Sequence, residues 1–86
     1  MKSMQKSDRK LVFDQKGIEA FAEQLKKIRL KEGYTQSQLA FESGLSLSQI
    51  ARIETARINP TLSTVFTLAR TLDVPLMDLF DFELPE

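Results

Sequence analysis

Three side chains within five positions, Ser48, Gln49 and Arg52, carry hydrogen-bonding groups that a nucleic acid can use. A guanidinium such as that of Arg52 can donate two hydrogen bonds to guanine O6 and N7, worth about 1–3 kcal/mol of discrimination. Serine and glutamine can bond either bases or phosphates. Covalent chemistry has no such foothold. The 86 residues include no cysteine and no histidine, which removes Cys-His and Ser-His-Asp nucleophiles, the usual zinc sites and imidazole acid–base catalysis. An enzyme is therefore not expected, and neither is a metal or other cofactor. Asp78, Asp81 and Glu83 lack the turn motif of a calcium site.

The elements that must hold those side chains read as helices. Asp14 is a candidate N-cap, with Phe13 and Ile18 at the two positions of a hydrophobic staple. Ile18, Phe21, Ala22, Leu25 and Ile28 then recur at spacings of three and four, one apolar face of a first helix. Lys26, Lys27, Arg29 and Lys31 crowd its end, where cations suit the helix dipole, and Gly33 is a stop. Two segments next repeat one design. Tyr34-Thr35-x-x-Gln38-Leu39 and Leu45-Ser46-x-x-Gln49-Ile50 each offer a capping hydroxyl, a glutamine three residues on and a staple pair, so each starts a helix. Thr61 after Pro60 caps a fourth helix, with Leu62, Val65, Phe66, Ala69 and Leu72 as its expected inner face. Pro75 permits a last short helix through Leu76, Leu79 and Phe80.

The second and third helices carry the functional expectation. Two helices that cross after a short turn need a small residue at the approach, which Ala40 supplies, and a residue tolerant of positive φ in the turn, which Gly44 supplies. Ile50 and Ile53 anchor the second rod, and Leu39 and Leu45 complete the inner face. Leu47, Ser48, Gln49, Ala51 and Arg52 are left to face outward or sideways. This is the pattern of a helix-turn-helix in an all-α chain.

Charge is consistent with that pattern once its distribution is considered. The net charge is zero, yet residues 73–86 hold five acids and no base, leaving 12 bases against 7 acids in residues 1–72. A neutral total thus conceals a basic body. The expected organisation is a basic arm over 1–13, a helix-turn-helix unit over 14–81, and an acidic tail over 82–86 that frays unless Phe82 and Leu84 find cover. No apolar run is long enough to suggest a membrane span or a secretory leader, so a cytoplasmic location is expected. With 86 residues, a second sensor domain is not expected.

Residues 18–80 resemble the Cro/repressor-type, or Xre, helix-turn-helix family. The matching stretches are LKKIRLKEGYTQSQLA, the Gly44-Leu45-Ser46 turn, IARIE, the Asn59-Pro60-Thr61-Leu62 junction and LARTLDVPLMDLF. The resemblance implies a five-helix, lambda-repressor-like DNA-binding domain. Gln36 would bond a DNA phosphate and support the reading helix 47–55. Leu47, Ser48, Gln49 and Arg52 would lie at or near base edges, Ser46 at the helix start would also contact DNA, and Thr55, Arg57 and Asn59 would fall in a phosphate-touching junction. Arg29 and Glu54 match an inter-helix ion pair. Leu47 stands where a polar residue is usual, and Ala56 where glycine is usual. The implied partner is double-stranded DNA with an inverted-repeat operator. One reading helix buries little surface, so a homodimer is expected, with Leu76, Met77, Phe80 and Phe82 as its candidate contact. Two alternatives stay open. One is an antitoxin, with a toxin as protein partner, or a restriction-modification controller. The other is an interaction module that has lost DNA binding, which the acidic tail, Leu47 and Ala56 would favour.

Overall fold

The computed structural model describes residues 12–86; nearly all of the basic arm, residues 1–11, lies outside the described residues. Four α-helices follow in order, α1 (Gln15–Lys31), α2 (Gln36–Ser43), α3 (Leu47–Glu54) and α4 (Leu62–Leu72), and a 3-10 turn closes the series at Leu76–Phe80. No strand occurs among the described residues.

Each helix begins where a capping side chain can take an orphan N–H. Asp14 accepts from Gly17 N at 3.0 Å, Thr35 from Gln38 N at 3.0 Å, Ser46 from Gln49 N at 3.0 Å and Thr61 from Thr64 N at 3.2 Å. Such caps are each worth about 1 kcal/mol. The two expected capping boxes differ in one respect. At α2 the box closes, with Thr35 N donating to Gln38 Oε1 at 2.8 Å. At α3 only the Ser46 half forms, and the Gln49 side chain does not reach back.

All four helices end on a residue with positive φ: Gly33 (+82°), Gly44 (+79°), Ala56 (+58°) and Asp73 (+55°). After α1, α3 and α4 the backbone makes the paired reverse bonds of a Schellman closure. In α3 these run from Arg57 N to Arg52 O at 2.9 Å and from Ala56 N to Ile53 O at 3.1 Å. Glycine enters this conformation freely, whereas alanine and aspartate hold it at a cost. Asp73 also sets a negative charge against the negative end of α4. Asp73→Asn keeps a residue tolerant of this backbone and removes the charge. It is expected to stabilise the fold by about 0.3–1 kcal/mol, raising the midpoint of a thermal melt by about 1–8 °C.

The core is formed by Leu25 of α1, Leu39 of α2, Ile50 and Ile53 of α3, Leu68 and Leu72 of α4, and Leu79 of the closing turn, all fully buried. Along α4 the expected inner face is rotated. Val65, Ala69 and Leu72 are inside, but Leu68 replaces Leu62 and Phe66, which are 67% and 37% exposed. The stripes 62-66-69 and 65-68-72 are equally apolar, and the sequence periodicity does not choose between them.

The fifth expected helix is the five-residue 3-10 turn. Five residues after Pro75 cannot complete the bonding of an α-helix, and the tighter i→i+3 turn suffices to drop Leu79 into the core. The tail is not free of the body. Phe82 is half-buried against the core, and Lys16 Nζ donates to Glu86 O at 3.4 Å. Gln24 Nε2 also donates to Asp78 O at 2.7 Å, tying α1 to the closing turn.

Tyr34 links the helix-turn-helix unit to α4 by donating its hydroxyl to Thr71 O at 3.1 Å. Burial raises its pKa above 10.0, and the nearby Glu42 carboxylate pushes it further. The neutral phenol is therefore the form the fold favours. Its contribution is intact below pH 10 and is lost as pH rises through the raised value. Tyr34 is the only tyrosine, so tyrosinate absorbance reports it alone. The titration midpoint is expected above 10.0 and is expected to fall part of the way back in Glu42→Gln, because burial is the larger cause.

Candidate nucleic-acid interface

The reading helix is held from behind. On the inner side of α3, Ile50 and Ile53 are fully buried, each removal from water worth about 1.5–3 kcal/mol. Next to them lies the only ion pair among the described residues. Arg29 Nε donates to Glu54 Oε2 at 2.6 Å and Arg29 Nη2 to Glu54 Oε1 at 3.0 Å, with the two side chains 7% and 2% exposed. This planar two-point contact joins α1 to the end of α3. Arg29 Nη1 donates in turn to Tyr34 O at 2.9 Å, and Gln36 Nε2 donates to Glu54 Oε1 at 3.0 Å. One carboxylate thus collects α1, α2 and α3. The pairing of Arg29 with Glu54 that the resemblance implied is present.

The opposite side of α3 is open. Ser48, Arg52 and Thr55 form a row at helical spacing, all exposed, with Leu47 and Ala51 along one edge and Gln49 along the other. Arg52 has no side-chain partner among the described residues, and because the α3 capping box stays half open, Gln49 keeps its amide uncommitted. Ser46 lies at the helix start, its oxygen engaged with Gln49 N. Arg57 and Asn59 are exposed on the segment after α3. Thr55 is the exception. Its hydroxyl donates to Ala51 O at 2.8 Å, so its one proton is turned back onto its own helix. Gln36 is half-buried and spends one N–H on Glu54, which leaves its second N–H for an outside acceptor.

Of two further positions that shape this surface, the sequence marked one and missed the other. Ala56, standing where glycine is usual, is buried with a left-handed backbone, and the exposed Arg57 and Asn59 follow it. Gln15 Nε2 donates to Ala56 O at 3.4 Å, fastening that turn to α1. The glutamine's 41-residue separation left no local signal for this contact.

Two short capped rods, joined by a left-handed turn, with the second rod bolted down on one side and bare on the other, define a helix-turn-helix unit. The chain belongs to the helix-turn-helix family, of the Xre type, whose profile matches residues 25–79. Among its relatives, the HTH-type transcriptional regulator SlrR of Bacillus subtilis (strain 168) is 41% identical over 56 residues, covering 64% of this chain and 37% of SlrR. An uncharacterized HTH-type transcriptional regulator of Archaeoglobus fulgidus is 32% identical over 59 residues, 69% of this chain and 84% of its own length. The chain therefore spans little more than a third of SlrR but most of the archaeal protein. In solved structures, the restriction-modification controller protein C.AhdI from Aeromonas hydrophila superposes with a TM-score of 0.71 at 33% identity, covering 73% of this chain and 96% of C.AhdI. The C.Esp1396I controller, solved as a tetramer with its natural 35 base-pair operator, superposes with a TM-score of 0.69 at 31% identity, covering 74% of this chain and 84% of that one.

No helix among the described residues is long and apolar enough to cross a membrane.

Proposed function

We propose that this chain binds double-stranded DNA sequence-specifically and regulates transcription, with α3 in the major groove. The observation that carries this reading is the uncommitted polar row of α3, set on a helix whose other side is locked by Ile50, Ile53 and the Arg29–Glu54 pair. Ser48, Gln49 and Arg52 meet base edges, and Gln36, Arg57 and Asn59 meet phosphates. Ser46 presents the helix start to the backbone. Thr55 contributes by closing the helix, and touches DNA only if it releases Ala51 O.

The binding form is a homodimer on an inverted repeat, with half-sites about one DNA turn apart. Leu76, Met77 and Phe80 are 39%, 80% and 45% exposed and supply its apolar contact, while Phe82 is occupied with its own core. The near-complete coverage of C.AhdI and the operator complex of C.Esp1396I favour a restriction-modification controller as the specific role. The acidic end of the chain lies along α1, on Lys16, which leaves the outer row of α3 uncovered.

Selection of bound fragments from a random DNA pool tests the reading. The expected product is a palindrome whose binding weakens steeply with salt. Failure of every fragment to outcompete random DNA at low salt would replace it with the interaction-module alternative.

A further inference from the structure

The exposed side of α3 is not uniformly polar. Leu47, the first residue of the helix, is 48% exposed, and Ala51 one turn later is half-buried beside it. The pair forms an apolar strip parallel to the Ser48–Arg52 row. Neither residue is needed to hold the helix, since Ile50 and Ile53 already fill its inner face. In the major groove the edges of the four bases present donors and acceptors with one apolar exception, the C5-methyl group of thymine. An aliphatic side chain at the tip of a reading helix, bordering a polar row, matches that single group.

We propose that Leu47, backed by Ala51, reads a thymine methyl in each half-site. The inference rests on the DNA-binding reading above and adds discrimination of the methyl group itself, which no hydrogen bond reads. Leu47 and Arg52 are five residues apart, about 7.5 Å along the helix, so the thymine lies within about three base pairs of the guanine that Arg52 reads.

The test uses the operator recovered by selection, with single thymines replaced by deoxyuridine, which removes the methyl and nothing else. Wild-type protein is expected to lose about fourfold in affinity at one position per half-site, the worth of one buried methyl group. Replacing that thymine in both half-sites should cost about 15-fold, the two sites being independent. Leu47→Ala, expected to stay folded and to melt within several degrees of the wild type because the side chain lies outside the core, is expected to bind the thymine and deoxyuridine operators equally. Wild-type indifference to every replacement would overturn the proposal, and so would an undiminished deoxyuridine effect in Leu47→Ala. Failure to recover any preferred operator would instead remove the DNA-binding reading on which it rests.

Discussion

Glu54→Ala is expected to lower the melting temperature by about 12–40 °C, the largest effect expected of a single substitution at this site. The mechanism is desolvation rather than the loss of an attraction. With Glu54 gone, the Arg29 guanidinium stays buried at 7% exposure with one carbonyl partner, Tyr34 O. Removing one member of a buried pair costs about 3–5 kcal/mol, and in a domain of this size each kcal/mol moves the melt by about 4–8 °C. The double variant Arg29→Met with Glu54→Leu removes both charges and should recover most of the loss. Urea titration of the four corners of this cycle checks the argument. A double variant as unstable as Glu54→Ala alone would show that the pair matters through shape and not through charge.

The second large effect falls on recognition. Arg52→Ala should cost about 1–3 kcal/mol at a single operator position and relax the preference there, because the lost contact is to one base. Arg57→Ala should weaken all sequences alike and reduce the slope of log affinity against log salt by about one, because the lost contact is to a phosphate. Fluorescence anisotropy across several salt concentrations, with the selected operator and its single-base variants, separates the two. If Arg52→Ala weakened every sequence equally, with a shallower salt slope, the guanidinium would be a backbone contact and the outer row of α3 would not be reading bases through it.

Local chemistry made the helix starts readable in advance. Asp14, Thr35, Ser46 and Thr61 each signal a cap through their own side chain, and each is found capping. Gly44 was readable for the same reason, since its turn demands positive φ. What was not readable depends on contacts between distant residues. The choice of Leu68 over Phe66 is made by what α4 packs against, not by anything within α4. The link between Arg29 and Glu54 spans 25 residues and was available only through the family resemblance. The open side of α3 was legible as the residue set left over once Ile50 and Ile53 were placed inside. The commitment of the Thr55 hydroxyl to Ala51 O was not, because a threonine at a helix end offers its proton to solvent or to its own backbone with no difference in sequence.

The division of α3 into a tethered inner side and a bare outer row also makes its specificity separable from its stability. Ile50, Ile53 and Glu54 fasten the helix, while Leu47, Ser48 and Arg52 are exposed and Gln49 is half-buried, none of them part of the core. Those four positions can be randomised as a cassette, with variants that should melt together yet prefer different sequences. The same scaffold can therefore be retargeted without being redesigned.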